Sequence, residues 1–431
     1  MDPLATELNE QICSQSPETY ALLSERGRKL YFPKGILSQT AEANEKAHLY
    51  NATIGEATEG DEPMALDSIL SHLSGIAAAD AVRYAPAAGK PELRRAWREK
   101  LLRENPSLAD KVFGVPIVTS AITHGLSLVG DLFVGEGDRV LVPDKLWGNY
   151  RLTYEVRLGA TVETFPMYAG SGFNVAGLGE ALRRGPEKTV LLLNFPNNPT
   201  GYMPTRAEVE GIRAAVVAAA EAGQKLLVVC DDAYFGLVFA DDALDESPFG
   251  LLANLHRSVL TIKLDGATKE LFVWGLRCGF LTFAPPPCDE PDVILAALER
   301  KAMGAIRGGI SNCAHISQSL VLAALEDPST EGQRRAKREI LQARAAKVAE
   351  VTSREAYADS WDVYPFNSGY FMCICVKGVD AERLRLHLLD SYGVGLISLG
   401  ESDIRVAFSC LGEEQIEPLF DLVHKAIQEL R

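Results

Sequence analysis

The stretch KLLVVCDDAYFG, residues 225–236, decides the fold of this chain. Its apolar part, residues 226–230, is short, branched and bounded by polar residues, which is typical of a buried strand. Two adjacent acids follow it directly. Because side chains alternate along a strand, only one of Asp231 and Asp232 faces a given cleft, and the other needs solvent or a partner. For a lone Asp in this place, a strand-end cap or helix N-cap is the ordinary interpretation.

Apolar runs of the same kind lie on both sides of this segment, between about residues 113 and 285, and amphipathic stretches separate them. One stretch carries helix signals, because Thr205 and Glu208 have the spacing of a capping box and Gly223 ends the helix. Strands that alternate with helices predict an α/β fold with a mostly parallel sheet, which binds ligands at the carboxyl ends of its strands. The further strands predicted in this way are residues 140–142, 190–193 and 259–264.

The chain has 431 residues, enough for two packed domains. From about residue 330 a long charged helix, GQRRAKREILQARAAKVAEV, replaces the alternating pattern, and mixed strands and helices follow. We therefore expect a large domain at 64–325 and a smaller α+β domain that combines 1–63 with 326–431.

Composition excludes several classes of function. The formal net charge is -15 and no run of basic residues stands out, so neither nucleic acid nor an anionic membrane is expected as a partner. The N-terminus lacks the pattern of a signal peptide, and the eight cysteines are scattered without a CxxC pair. We expect reduced thiols in a cytoplasmic protein and, from seven scattered histidines, no metal site.

Three further segments carry candidate chemistry. NFPNNPTG, residues 194–201, is a polar, proline-locked turn directly after a strand, and any Asn-Pro turn would look similar. KLDGATKELFVWGLRCGF, residues 263–280, places Lys269 after a strand with Arg277 eight positions on. A desolvated amine near another cation is nucleophilic, although such a lysine usually reaches solvent instead. ITHGLSLVGDLF, residues 122–133, predicts a glycine-containing loop that opens a helix and offers N–H groups to a phosphate.

The order and spacing of the four segments resemble the fold-type I aminotransferases that depend on pyridoxal phosphate, of the class I/II, aspartate aminotransferase-like group. WGNY at residues 147–150 adds to the resemblance, which covers the chain from about residue 48 to its end. It implies the fold-type I architecture, in which a large domain with a seven-stranded, mostly parallel sheet joins a smaller α+β domain. It also implies a homodimer and the cofactor pyridoxal 5'-phosphate.

The resemblance implies a role for each residue that contacts the cofactor ring. Lys269 holds the cofactor as a Schiff base and later moves the Cα proton. Asp231 pairs with the pyridine nitrogen and keeps the ring an electron sink. Asn198 and Tyr234 bond the phenolic oxygen, and Trp147 stacks on the ring face.

The resemblance also implies a phosphate site. Arg277 holds the phosphate with its planar fork, helped by Ser127 and by the backbone around Gly125 and Leu126. Tyr84 reaches the same phosphate from the partner subunit. His124 lies beside this loop, and a structural, hydrogen-bonded histidine is the expected interpretation.

The chain departs from the family pattern at Gly266, where a phosphate-contacting serine is usual, and Thr268 could supply a replacement hydroxyl. For the substrate, the resemblance implies that Arg405 binds the α-carboxylate bidentately and that Gly55 lets the backbone approach. Arg307 falls where a partner-subunit arginine reads a side-chain carboxylate, although a structural arginine at a dimer interface fits as well.

The leading hypothesis is an aminotransferase that moves an amino group between an L-amino acid, with glutamate or aspartate as donor, and a 2-oxo acid. The alternative is a lyase, cyclase, decarboxylase or oxidase acting on an L-amino acid on the same fold. A regulator built on this fold would carry an added basic DNA-binding region, which the chain lacks. A Rossmann-type nucleotide enzyme is disfavoured because no GxGxxG follows a predicted strand.

Overall fold

The computed structural model describes residues 1–32, 35–60 and 62–431. In chain order its helices are α1 (Pro3–Gln15), α2 (Pro17–Leu22), α3 (Glu25–Lys29), α4 (Ile36–Lys46), α5 (Asp67–Leu70), α6 (Ala78–Ala81), α7 (Pro91–Glu104), α8 (Ala121–Phe133), α9 (Asn149–Arg151), α10 (Val175–Arg183), α11 (Arg206–Glu221), α12 (Pro248–Leu252), α13 (Ala267–Glu270), α14 (Pro291–Gly309), α15 (His315–Glu326), α16 (Thr330–Thr352), α17 (Ala381–Tyr392) and α18 (Glu413–Leu430). The strands are β1 (Tyr50–Asn51), β2 (Thr58–Glu59), β3 (Glu62–Pro63), β4 (Ile117–Thr119), β5 (Arg139–Pro143), β6 (Thr161–Phe165), β7 (Tyr168–Ala169), β8 (Gly172–Phe173), β9 (Lys188–Asn194), β10 (Lys225–Asp231), β11 (Val259–Gly266), β12 (Gly279–Ala284), β13 (Trp361–Val363), β14 (Phe371–Val376), β15 (Val394–Gly395), β16 (Ile397–Leu399) and β17 (Asp403–Ala407).

A large sheet forms the centre of the molecule. Within the described residues it has seven strands in the order β4-β12-β11-β10-β9-β5-β6, and every neighbouring pair is parallel except the two that involve β12. Because β12 is antiparallel to both β11 and β4, these two run in the same direction as β10, β9, β5 and β6. The predicted α/β fold with a mostly parallel sheet is confirmed.

Both faces of the large sheet are buried, as a continuous apolar strand sequence predicts. Along β9, Leu191 and Leu193 pack into one apolar core, and the alternate residues Val190 and Leu192 pack into another on the opposite face. The four predicted strands fall within β5, β9, β10 and β11. Because both faces of the sheet are buried in apolar cores, polar side chains can line a cavity only at the ends of the strands.

A second, smaller sheet lies in the C-terminal part of the described chain. Its four strands, β13-β14-β17-β16, are all antiparallel to their neighbours, and α16, α17 and α18 pack against a core of their own with them. The N-terminal segment contributes to this part, because β1 pairs with β15 and the buried Ala52 lies in the same core. The chain therefore contains an α/β layer and an α+β layer.

Two helix predictions have different outcomes. The capping box of α11 is confirmed, since Thr205 and Glu208 bond each other's backbone N–H groups at its start. The predicted glycine-containing loop before α8 is wrong, because α8 already begins at Ala121 and Gly125 lies inside it. A Cβ on Gly125 would be 2.9 Å from the side chain of Leu264, so this glycine brings the helix close to the sheet.

No helix in the described part of the chain is long and apolar enough to span a bilayer.

Candidate active site

One pocket collects the residues that follow β4, β5, β9, β10 and β11. Since these strands run in the same direction, their carboxyl ends open on one edge of the sheet. The small sheet closes the pocket from above with residues of β14 and β17. Of the site residues predicted from sequence, those that line the pocket are Gly55, Trp147, Asn198, Asp231, Tyr234, Thr268, Lys269, Arg277 and Arg405.

Lys269 lies on α13, a single helical turn directly after β11. Its side chain is partly buried and turns into the pocket, where the Nζ atom is 5.1 Å from the centroid of the Tyr234 ring. Desolvation lowers the pKa of Lys269 to about 8. The negative charge of Asp231 opposes this shift, and the positive charge of Arg277 adds to it. The amine is therefore neutral in a sizeable fraction of molecules near physiological pH, as a nucleophile or base requires.

Asp231 ends β10 and is fully enclosed. Burial raises the pKa of its carboxyl group to about 6, and a hydrogen bond from Tyr150 limits that rise. The Tyr150 hydroxyl donates to Asp231 Oδ2 at 2.6 Å, and the N–H of Ala233 donates to Oδ1 at 3.2 Å. These donors hold one carboxylate in a fixed direction inside the pocket. No sequence pattern pointed to Tyr150, although it ends the WGNY segment that contains Trp147.

The adjacent acid has a separate partner, as alternation along a strand requires. Asp232 accepts hydrogen bonds from Lys263 Nζ and, at 2.5 Å, from Ser247 Oγ, and all three residues are buried. Asp231 and Asp232 therefore serve opposite sides of the strand, the first towards the pocket and the second towards the protein interior.

The turn after β9 links the two sheets through Asn198 and Arg405. Asn194, at the end of β9, accepts from the backbone N–H of Asn198 at 2.8 Å and donates to the carbonyl of Asp231 at 2.9 Å. Arg405, on β17, is 1% exposed and donates to Asn198 Oδ1 at 3.2 Å and to the Thr53 carbonyl at 2.7 Å. Its Nε atom is buried and has no partner among the described residues. A pocket with an unpaired guanidinium N–H fits an anionic ligand group.

The other anion-binding groups lie at the rim near Lys269. Thr268 is buried and its hydroxyl has no hydrogen-bond partner among the described residues. Arg277 is exposed and lies in the left-handed backbone region at φ 49°. The start of α8 completes this side, because Ala121, Ile122 and Thr123 line the pocket. Ala121 also has a positive φ, 60°, and such strained conformations cluster at functional sites.

The structure does not bring Gly125, Leu126 and Ser127 into this pocket. They lie in the second turn of α8, where the Leu126 carbonyl accepts from the Tyr154 hydroxyl and Ser127 Oγ accepts from Arg157 at 3.0 Å. These three predicted phosphate ligands therefore lie outside the pocket, which the first turn of α8 lines instead. Glycine suggested a loop, whereas its actual role is helix–sheet packing.

Packing explains why the residue at position 266 is glycine. A Cβ on Gly266 would be 2.8 Å from both the Cys278 carbonyl oxygen and the Gly279 Cα. Both contacts are to backbone of the neighbouring strand β12, which cannot move aside as a side chain could. A serine does not fit here without a shift of β12, and the hydroxyl on this side comes from Thr268.

Three predicted residues have other surroundings. Tyr84 is 87% exposed, and Arg307 is exposed on α14, where it donates to Ser311 Oγ at 2.5 Å. Neither lines the pocket of its own chain. His124 accepts from the backbone N–H of Ser120 at 3.0 Å, as expected for a hydrogen-bonded histidine.

Comparison with known proteins agrees with this geometry. A sequence profile of the family described as aminotransferase class I and II matches residues 61–423. The chain belongs to that family. It is 30% identical over 253 residues to a probable aspartate/prephenate aminotransferase of Aquifex aeolicus, an alignment that covers 58% of each protein. It is also 26% identical to an arginine–pyruvate transaminase of Pseudomonas aeruginosa, over 78% of this chain and 76% of that protein.

The alignments with the Aquifex protein and with the cytoplasmic aspartate aminotransferase of Schizosaccharomyces pombe span only 58% and 53% of those relatives. The fold similarity extends further. An aminotransferase from Anaerococcus prevotii superposes with a TM-score of 0.84 at 22% identity, over 95% of this chain and all of that one. A mutant aspartate aminotransferase of Thermus thermophilus superposes with a TM-score of 0.74 at 20% identity, over 94% and 99% of the chains.

Proposed function

We propose that this protein is a pyridoxal-phosphate-dependent aminotransferase that moves an amino group between an L-amino acid and a 2-oxo acid. The observation that carries the proposal is Lys269, whose amine has a pKa lowered to about 8 and shares one pocket with Asp231 and Arg405. This combination supplies a base, a buried anion and a carboxylate receptor. Family membership supports the same activity.

The residues of the pocket fit the proposed cofactor. Thr268 Oγ1 is buried without a partner among the described residues, beside Arg277 and the first turn of α8, and these groups would bind a phosphate. Asp231, held by Tyr150, would bind a protonated ring nitrogen, and Trp147 would cover the ring. When bound, pyridoxal phosphate supplies an aldehyde that takes up the amino group and a ring that stabilises negative charge at the substrate Cα.

The protein's own groups divide the remaining work. Arg405 binds the α-carboxylate of the amino acid and so fixes the direction of its Cα–H bond. Lys269 Nζ, in its neutral form, accepts the Cα proton and later returns a proton to the ligand. Phe371 packs under the guanidinium of Arg405, 4.1 Å from its centre, and excludes water from the carboxylate site.

Glutamate or aspartate is the proposed amino donor, and the proposed acceptor is another 2-oxo acid. We propose a cytoplasmic homodimer in which Arg307 and Tyr84 of one subunit reach the pocket of the other. Their exposure on each chain supports this arrangement. In keeping with a reducing compartment, every cysteine in the described residues is free. The proposed division of each subunit is a large domain at 64–325 and a small domain at 1–63 with 326–431.

A single half-reaction tests the function. Holoenzyme is mixed with one L-amino acid at a time, without any oxo acid, while the cofactor absorbance is followed and products are identified by mass spectrometry. Stoichiometric formation of pyridoxamine phosphate and a 2-oxo acid supports the proposal and identifies the donor. Continued turnover with ammonia or a cyclised product would refute transamination in favour of a lyase, cyclase or oxidase. Lys269→Ala is the control and should be inactive.

A further inference from the structure

Asp231, Tyr234 and Lys269 line the pocket, and each is followed in the chain by a buried residue that contacts a cation. Asp232 follows Asp231 and pairs with Lys263. Phe235 follows Tyr234, and its ring centroid lies 4.9 Å from Lys263 Nζ and 5.2 Å from Lys100 Nζ. A continuous layer of charge and aromatic surface thus supports the pocket from below.

Glu270, the residue after Lys269, has two cationic partners in this layer. Lys100 of α7 and Arg334 of α16 both donate to Glu270 Oε1, the second at 3.0 Å. Both cations also bond Glu104, in the case of Arg334 at 3.2 Å. We name Lys100, Glu104, Glu270 and Arg334 the basal network. Lys100 and Glu270 have side chains that are each 2% exposed, whereas those of Glu104 and Arg334 are 20% and 14% exposed and reach the surface.

Such a network is weak evidence for stabilisation of the fold. Removing charged groups from water costs several kcal/mol per ion, and well-packed apolar residues often stabilise such a site as well or better. The network also leaves Glu270 Oε2 without a partner among the described residues. Its geometry does have a clear consequence, because it connects a helix of the C-terminal part to the residue next to Lys269.

The helix that carries Lys269 needs such support. α13 has only four residues, and a single helical turn is not stable by itself. Its first N–H donates to the Cys278 carbonyl at 3.1 Å, and the Tyr370 hydroxyl donates to the Lys269 carbonyl at 3.3 Å. Glu270 supplies the side-chain anchor at the other end of the turn.

The same face of α16 also supports the segment that follows Tyr234. Arg338 donates to the Val238 carbonyl and Gln342 to the Phe239 carbonyl at 3.1 Å. Arg334, Arg338 and Gln342 are spaced four residues apart, so they form one stripe along the helix. A shift of α16 would therefore reach both α13 and the segment that follows Tyr234.

We propose that Arg334 is a positioning residue for Lys269 and acts through Glu270. The proposal rests on the function proposed above, in which Lys269 must point at a substrate proton. Loss of the Arg334 contact frees α13 to rotate, so Lys269 spends less time in its reactive direction and more time in water. A misplacement of about 1 Å in a catalytic group can lower a rate by about 100-fold.

The test compares Arg334→Met, Arg334→Lys and Arg335→Met. Arg335 is the matched control, because its side chain is 73% exposed and lies 4.0 Å from its nearest acid, Glu339. In the cofactor-free protein, trace acetic anhydride labels amines, and mass spectrometry gives the labelling rate of Lys269 against pH. The midpoint for the unaltered protein and for Arg335→Met is expected near 8. For Arg334→Met it should move towards the ordinary lysine value of about 10.4.

In holoenzyme, Arg334→Met should lower kcat by about tenfold or more with a smaller change in KM, and should raise the isotope effect of α-deuterated substrate. Arg334→Lys should restore part of kcat and part of the shift in the labelling midpoint. If Arg334→Met does not fold, Arg334→Lys is compared with Arg335→Met instead. Unchanged labelling and kcat in folded variants would overturn the positioning role while transamination stands. If the unaltered enzyme does not transaminate, the proposed function fails, and the labelling shift alone decides whether Arg334 positions Lys269.

Discussion

Replacing Tyr150 by phenylalanine isolates one hydrogen bond to the carboxylate of Asp231. The Tyr150 hydroxyl donates to Asp231 Oδ2 at 2.6 Å in a buried setting, and it favours the charged form of the acid. A buried hydrogen bond to a charged group contributes about 1.5–3 kcal/mol. One pKa unit corresponds to about 1.4 kcal/mol, so Tyr150→Phe should raise the pKa of Asp231 by about 1–2 units above its present value.

The assay is a pH titration of the Asp231 carboxyl in the cofactor-free protein, followed by NMR of carbon-13-labelled aspartate, because a bound cationic ring would itself lower the pKa of this acid. In the unaltered protein the pKa of Asp231 is about 6. In Tyr150→Phe the titration midpoint should therefore move to higher pH by about 1–2 units. Tyr154→Phe is the matched control, because Tyr154 is equally buried in the same segment but donates to the Leu126 carbonyl at 3.2 Å. Equal Asp231 midpoints in the two folded variants would refute this account of the hydrogen bond.

Three further outcomes follow from the structure. In cofactor-free protein, the rate at which Lys269 reacts with an aldehyde should rise about tenfold per pH unit and level off near pH 8, since its pKa is about 8; levelling only above pH 10 would show an ordinary lysine. Arg405→Lys should raise KM for amino acid and oxo acid by about 10–100-fold with less effect on kcat, because the lysine cannot bind a carboxylate bidentately; steady-state kinetics that show unchanged KM would exclude this role. Gly201→Ala should lower the free energy of unfolding by about 3 kcal/mol or more, since its φ is 73° and a Cβ would lie 2.0 Å from the Phe371 carbonyl oxygen. Gly137→Ala, at φ 79° in open space, should lose only about 1 kcal/mol, and equal losses in urea denaturation would contradict the steric account.

Sequence patterns were most informative where a polar side chain directly follows an apolar run that predicts a strand. A buried strand leads into each of Asp231 and Lys269, so their location at one edge of the sheet could be predicted, whereas the choice of Asp231 over Asp232 and the role of each residue came from the resemblance. The apolar runs of β5, β9, β10 and β11 gave the same kind of signal. Arg405 was different, since nothing local distinguishes it from a surface arginine, and only the resemblance pointed to it.

The failures have physical reasons. The first turn of α8 was missed because Ala121 has no sequence signature for a left-handed residue at a helix start. Gly125 drew attention instead, although its lack of a side chain serves packing against Leu264. Tyr150 was missed because its role depends on a partner 81 residues away. Tyr84 and Arg307 do not line the pocket of their own chain, and the contacts proposed for them are between subunits.

The pocket draws its walls from the ends of five strands that are widely separated along the chain. A ligand that contacts all five strand ends binds only molecules in which the sheet is complete. It therefore stabilises the folded chain and does not stabilise a partly folded one. At 100 times its dissociation constant, such a ligand adds about 2.7 kcal/mol to the free energy of unfolding. Partly unfolded molecules are the ones that proteases cut, so the supply of the proposed cofactor in the cell would lengthen the lifetime of this protein as well as support its activity.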